Sequence, residues 1–489
     1  RQQLVEVALV ATLGLLGALA MGRVAVDLLP RLLPGEVPFW LSFELDGRVL
    51  VWSGTLAALC CVAVALPTTV QARRAGAASR GLAGRRLLSS RGRTWLVGAQ
   101  VALATMLVGS AAAAVKGVAY LSRAETGVRT DNILVTGAAI PPSSYPEAGD
   151  RIELARRALD AVRTLPSVVS AGGVDVVPLV SGGQEVALDD GSVGNDVASR
   201  APVGLLNAFS PGYFETMGIP VLSGRLPVDA DVWGDPTVAV VSQSLALRLW
   251  PEGEAVGRRI RYGAPGSRSP RVAADRPWLE VVAVVGDVSQ EGPVRGTRDQ
   301  VYVTMARQPP AHLTLMIRTR SDPLDQAGPV QQRIHEIDPV LPFFEPTTMA
   351  HARRFSVWTQ RMTATLLSTF GLLAGLLAIL GVYAVMAHTT RRRDREIGLR
   401  VAIGASRGDV RGLILRQSAG LVIPGLGAGL VGVGLASLVL RRVVVGIPAV
   451  DPVVLSATAV LLTLAALAAA WVPARRAAGI DPAAALSAD

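Results

Sequence analysis

Lysine is almost missing from this 489-residue chain: Lys116 is the only one among 48 basic residues, the others being arginine. It follows Val115, so the chain has no Gly-Lys-Ser/Thr sequence with which a P-loop cradles phosphates. Cysteine is equally scarce. Cys60 and Cys61 are neighbours in an apolar run, which excludes a disulfide framework and a cysteine zinc site. The four histidines, His312, His335, His351 and His388, lack metal-ligand spacing. Acidic pairs such as Asp189 and Asp190 sit in a Gly/Ser-rich stretch and read as a solvated turn. The expectation is a chain that is not itself an enzyme, with no catalytic, cofactor-binding or metal-binding residue.

Charge is also short. Only 18% of residues are charged, where a soluble chain carries about a quarter, and half are hydrophobic. Six apolar runs are long enough to cross about 30 Å of hydrocarbon: Leu4–Gly22, Val49–Val70, Thr94–Val115, Met362–His388, Leu413–Leu440 and Val453–Pro473. Their ionisable members, Glu6 and Arg416, lie within a turn of an end. "GAGLVG" (Gly427–Gly432) formally fits a dinucleotide-binding pattern, but it lies inside an apolar run with no preceding strand and is rejected. Gly425 and Gly429, four apart, suit close packing of helices in lipid.

The arginines set an orientation. Residues 117–356 hold 23 arginines against 27 carboxylates, so the remainder of the chain carries +14. That excess concentrates in Arg73–Arg93, in Arg391–Arg411, and at Arg475 and Arg476. Cytoplasmic loops are enriched in arginine and lysine, which puts both ends of the chain inside and residues 117–356 outside. A basic run between long apolar runs is not expected to bind nucleic acid.

The start and the end of the chain repeat each other: Arg-Gln, an apolar run, a turn containing Pro, an apolar run, Pro, then Ala-Arg-Arg-Ala. The chain reads as the tail of one four-helix module followed by a whole one. No cleavable signal peptide is visible and the sequence opens on Arg1, as a fragment or processed product would. The expected segments are 1–72 (two membrane helices), 73–93 (a basic linker), 94–116 (a third helix), 117–356 (the external domain) and 357–489 (three helices, with a loop at 389–412).

The external region interleaves helices and strands. "RIELARRALDAVRTL" places Ile152, Leu159, Val162 and Leu165 on one helical face. "PTVAVVSQSLALRLWP" reads as a strand, Ser242 as N-cap, and a helix stopped by Pro251. "WLEVVAVVGDV" reads as a buried strand, and "DQVYVTM" and "LTLMIRT" as further strands. The fold class is therefore a polytopic α-helical membrane protein with a large mixed α/β extracytoplasmic domain.

The densest charge, "RRRDREIGLRVAIGASRGDV" (391–410), lies between two apolar runs. Helical phasing pairs Ile397 with Val401, Leu399 with Ile403, and Glu396 with Arg400. The phasing describes a short amphipathic helix, either an interfacial anchor or a docking site for a soluble partner.

Arg395, Glu396, Ile397, Gly398, Ala402, Gly404 and Ala405 resemble the signature loop of FtsX-like/MacB-like ABC transporter permeases. "FSPGYFETMGIPVLSGR" (209–225), "VVSQSLALRLWPEGEAVGRRI" (240–260) and "VVAVVGDV" (281–288) resemble that family's periplasmic core domain, and "PARRAAGIDPAAAL" (473–486) its C-terminus. The repeat most resembles the duplicated, large-permease branch, which implies that the leading parts of a first module precede this sequence. The resemblance implies a multi-pass permease of the bacterial inner membrane. It also implies a cytoplasmic ABC ATPase partner that binds ATP, mechanotransmission to the periplasmic domain, and coupling through Arg395, Glu396, Ile397, Gly398 and Arg400. A dimer, or pairing with the first module, would complete the assembly. The rival reading is an ATPase-independent scaffold or sensor whose external domain binds a partner.

The orientation is testable with the two cysteines removed (Cys60→Ala, Cys61→Ala). A membrane-impermeant maleimide should label Ser267→Cys on intact cells and Ser406→Cys only after permeabilisation. The reverse pattern would refute the scheme.

Overall fold

Long uncharged runs form helices because lipid leaves backbone groups no partner but one another. Valine-rich runs of five to eight residues form strands, where β-branched side chains fit a pleated surface. Both kinds of segment are seen in the computed structural model. It describes residues 82–141, 143–191, 201–234, 237–263, 272, 275–391, 396–397, 399–400, 403, 406–443 and 451–478, together with 12–14, 16–17, 20, 22–24, 46–48 and 51–55. The chain divides into two units, Val118–Thr359 and a second made of Arg1–Gly117 with Gln360–Asp489.

The elements begin with α1 (Leu82–Arg123), β1 (Ile133–Ala139), α2 (Ala148–Arg163), β2 (Val168–Val174), β3 (Gln184–Asp189), β4 (Val203–Phe209) and α3 (Tyr213–Met217). Next come β5 (Val221–Gly224), α4 (Asp229–Trp233), β6 (Val238–Ser242), α5 (Gln243–Leu249), β7 (Arg259–Tyr262), β8 (Leu279–Val285) and β9 (Gln300–Thr304). The last are β10 (His312–Thr319), α6 (Ala327–His335), β11 (Thr347–Thr348), α7 (Met349–Ser356), α8 (Trp358–Arg391), α9 (Arg407–Val443) and α10 (Pro452–Ala477).

In the unit Val118–Thr359, β11, β1, β10, β2 and β4 follow one another as an antiparallel ribbon. From β4 the sheet continues through β3, β7, β8, β6 and β9. β9 then pairs in parallel with β4, Leu205 opposite Gln300 through Phe209 opposite Thr304, which closes six strands into a ring.

Both faces of this sheet are buried, and alternate residues enter different cores. Leu134, Ala239, Val241, Val301 and Val303 join a core with α2, α5 and α6. Their neighbours Ile133, Val135, Val240 and Tyr302 join a second core with α3, α4 and α7. Burial on both sides explains why the strands read as continuous apolar runs. A register shift between Ala239 and Val240 leaves Val282 unpaired in the β6–β8 ladder. Leu279 and Val281 therefore face the first core, and Ala283 and Val285 the second.

The expected helix at 151–165 is α2, which buries Leu154, Ala155, Ala158, Leu159 and Val162. Ser242 caps α5 as its sequence suggests, its Oγ accepting from the Leu245 N–H at 3.4 Å. α3 has five residues, too few to be stable alone. Left-handed glycines bound it, Gly212 (φ 79°) and Gly218 (φ 66°). It rests on β2 at Gly172, where a Cβ would stand 2.4 Å from the Tyr213 nitrogen. Its Tyr213 and Phe214 join Phe209 and Tyr302 in edge-on contacts of 5.0–5.3 Å between ring centres. Each such contact contributes about 0.5–1.5 kcal/mol beyond the area buried.

Among the described residues, four helices are long and apolar enough to cross a membrane: Trp95–Arg123, Trp358–Thr390, Arg407–Leu438 and Pro452–Arg476. At 1.5 Å per residue their 25–33 residues span roughly 38–50 Å, more than the hydrocarbon core. The expected runs Leu4–Gly22 and Val49–Val70 lie mostly outside the described residues.

At the end of β2, the Asp175 carboxylate accepts the Ala208 N–H at 2.7 Å. Burial raises its pKa from 3.8 to about 7, outweighing that hydrogen bond. A raised carboxyl pKa means that the folded state favours the proton. Its stabilisation is complete below the unfolded value and is lost as pH rises through about 7. Asp175→Asn keeps the neutral form throughout. Its melting temperature should therefore gain on that of the wild type as pH rises from about 5 to about 8, a gain that thermal melts of the full chain would measure. A constant difference would contradict the assignment.

Candidate coupling site

The membrane-type helices meet where side chains are smallest. A Cβ at Gly425 would stand 2.7 Å from the Gly98 carbonyl oxygen, and one at Gly429 2.4 Å from Thr105 Cβ and 2.6 Å from the Ala102 carbonyl oxygen. Gly432 faces Met106, and Val433 fills the space at Gly109. Residue numbers rise together along these contacts, so α1 and α9 run parallel. Against α8 they run oppositely: Gly371 lies on Leu107 and Val108, and Gly381 on Gln100.

Gln100 belongs to no motif in the sequence. Its Nε2 donates to the Leu377 carbonyl at 2.8 Å, and a Cβ at Gly381 would stand 2.4 Å from its Oε1. Its signal is that it is the lone amide side chain of 94–115. An amide in a membrane helix needs a partner, and such interhelical bonds contribute about 0.6–2 kcal/mol.

α10 is held at both ends. Asp451 accepts the Val453 N–H at 2.9 Å as N-cap and pairs with Lys116 of α1. The Lys116 ammonium, hydrogen-bonded to the carboxylate, holds that carboxyl below its usual range, with the Val453 amide adding to the effect. At the other end Arg476 donates to the Tyr383 hydroxyl at 3.3 Å.

Between α8 and α9, Glu396, Ile397, Leu399 and Arg400 are helical. Arg395 and Gly398 of the expected coupling set lie outside the described residues, as do Val401, Ala402, Gly404 and Ala405. Ile397 is 4% exposed, packed in one cluster with Met386, Val410 and Ile414. The half-exposed Glu396 and Arg400 pair at 2.9 Å. Leu399 and Ile403 point outward, 51% and 78% exposed. A cavity of about 20 Å³, room for about one water, is lined by Thr390, Glu396, Ile397, Arg400 and Gln417.

"GASRG" (404–408) has the spacing of a nucleophile elbow, but Ser406 serves as a cap. Its Oγ accepts the Asp409 N–H at 3.2 Å, and Asp409 Oδ2 accepts the Ser406 N–H at 3.0 Å. This reciprocal pair starts α9. Among the described residues no three His, Cys, Asp or Glu side chains are grouped as a metal would require.

These features define a multi-pass membrane protein with an α/β unit inserted after α1. Residues 368–482 match the FtsX-like permease C-terminal family, and residues 97–337 match the MacB-like periplasmic core domain. The chain belongs to the permeases that combine these two domains. Over 342 residues it is 27% identical to the pyoverdine export ATP-binding/permease protein PvdT of Pseudomonas aeruginosa, covering 67% of this chain and 46% of PvdT. Over 298 residues it is 26% identical to the macrolide export ATP-binding/permease protein MacB of Neisseria gonorrhoeae, covering 57% of this chain and 42% of MacB. The chain thus spans about half the length of the curated relatives it matches. The periplasmic region of MacB from Actinobacillus actinomycetemcomitans aligns at 12% identity and a TM-score of 0.30, over 47% of this chain and 94% of that one.

Neighbouring glycines provide a matched test of the bundle. Gly429 is filled by α1, whereas Gly427 has nothing within 4 Å of a built Cβ. Gly429→Val should destabilise the detergent-solubilised chain by about 3 kcal/mol, an overpacking cost, while Gly427→Val should leave thermal stability within about 0.5 kcal/mol. Equal effects would contradict the packing.

Proposed function

We propose that this chain is the membrane subunit of an ABC-type export or envelope-remodelling system, coupled by mechanotransmission to an ATPase that binds the nucleotide. In this reading the chain is not itself an enzyme. It crosses the inner membrane six times, with both ends of the sequence and the loop 389–412 on the cytoplasmic side. The observation that carries the reading is the loop helix. Ile397 anchors it in the bundle while Leu399 and Ile403 stand exposed beside the Glu396–Arg400 pair. Exposed apolar side chains rimmed by charge are what a soluble protein docks on.

Force applied there passes through Ile397 to α8 and α9. The chain's connectivity supports onward transfer, because the α/β unit is inserted between α1 and α8. The names of PvdT and MacB join ATP-binding to permease and export, which supports the kind of partner. A dimer, or pairing with a first FtsX-like module, belongs to the same proposal.

Affinity purification of the full chain from native membranes should recover an ABC ATPase. Glu396→Arg and Leu399→Asp should each lower its recovery at least tenfold, with membrane insertion and melting temperature unchanged. The pair-restoring variant Glu396→Arg/Arg400→Glu should stay well folded. Recovery equal to wild type in both single variants would refute docking at this loop. An intact, active chain that recovers no ATPase would favour the scaffold reading.

A further inference from the structure

The strongest unassigned feature lies where α9 begins and α10 ends. The Arg411 guanidinium lies over the Trp471 ring, 5.9 Å from its centre. Arg407 is one turn before Arg411 on α9, and Arg475 one turn after Trp471 on α10, so the contact gathers three cations and an indole. None of the three arginines has a carboxylate partner among the described residues, and the buried Arg411 Nε has no hydrogen-bond partner. The nearby acids are engaged: Asp409 by Ser406, and Glu396 by Arg400.

The same face of α10 continues into the apolar span. Leu464, Leu467 and Trp471 are 60%, 38% and 48% exposed, and Arg475 is exposed. Steps of three or four residues stack them in a line. The order along that line is aliphatic, aliphatic, aromatic, cationic. This is the polarity profile of one phospholipid, with acyl chain, glycerol region and phosphate in sequence. Indole rings settle at headgroup depth, and basic pockets between membrane helices hold anionic headgroups. A soluble partner would have no use for the aliphatic half of the line.

We infer that the groove between the start of α9 and the end of α10 binds an anionic phospholipid, with Arg407, Arg411 and Arg475 around its phosphate and Trp471 beneath. This rests on the helices being in a membrane and not on ATPase coupling, so either proposal can fail alone.

Native mass spectrometry of the delipidated full chain, titrated with phosphatidylglycerol or phosphatidylcholine in mixed micelles, tests it. Wild type should prefer phosphatidylglycerol. Arg411→Gln/Arg475→Gln should weaken that binding roughly thirtyfold, about fivefold for each cation lost, leaving phosphatidylcholine binding unchanged. Arg411→Lys/Arg475→Lys should retain most of the preference, which separates lost charge from lost fold. Arg320→Gln, on the α/β unit, should have no effect. Equal phosphatidylglycerol binding in wild type and the Gln variant would overturn the inference, and so would the absence of any lipid preference. Displacement of the lipid by millimolar inorganic phosphate would assign the site to free phosphate and overturn the lipid. Loss of a co-purifying acidic protein with lipid binding intact would assign the cations to that protein and also overturn it.

Discussion

The bundle depends on how closely α9 can approach α1. Lipid is as apolar as leucine, so helices in a membrane gain nothing by hiding aliphatic side chains from it. They must gain from dispersion between surfaces that fit, and the fit improves as backbones approach. Gly425 and Gly429 put α9 against the Gly98 and Ala102 carbonyls at distances that leave no room for a Cβ. The Gln100 side chain then finds its one acceptor on α8 only because Gly381 has no side chain in the way. α1, α8, α9 and α10 all contribute side chains to one buried cluster, and Ile397 joins it.

The α/β unit uses the other half of the hydrophobic composition under different rules. In water, burial of apolar area is itself the driving force, about 25 cal/mol per Å². The sheet exploits it twice by presenting each strand's alternate residues to separate cores. Leucine and valine runs that look alike in the sequence therefore end in opposite situations. Leu376, Leu377 and Leu380 of α8 are left exposed for lipid, while Val240, Val241 and Val301 are fully enclosed.

What could be read in advance follows from this difference. The four long helices were visible because a span needs an unbroken run, which is a local property. α2 showed in its periodicity and α5 in its Ser242 cap for the same reason. The return of β9 to β4 was hidden, since nothing near residues 300–304 specifies a partner a hundred residues earlier. The shift at Val282 was hidden too, because an apolar run with two buried faces carries no phase. Asp175 looks like any loop carboxylate until the Ala208 amide and the surrounding core are placed beside it. In the loop, phasing grouped Leu399 with Ile403 and Ile397 with Val401, but it did not say which pair faces outward. Gln100 was legible as an oddity and illegible as a bond.

The ends of the helices are held more firmly than the described residues of the loop between α8 and α9. α10 begins with Asp451, which satisfies its first amides and holds Lys116, and it ends with Arg475 and Arg476 beside its terminal carbonyls. Carboxylate at the start and cations at the finish both complement the helix dipole, and each end also touches a second helix. α9 starts on the closed Ser406–Asp409 pair. Against these anchored ends, the described residues at 396–403 contribute one buried side chain, Ile397, and leave two aliphatic ones in the open. Covering what remains exposed of Leu399 and Ile403 would contribute roughly 1–2 kcal/mol each. Among the described residues nothing in the bundle covers either side chain, so neither helps to fix the loop, whereas the capped and paired helix ends fix themselves.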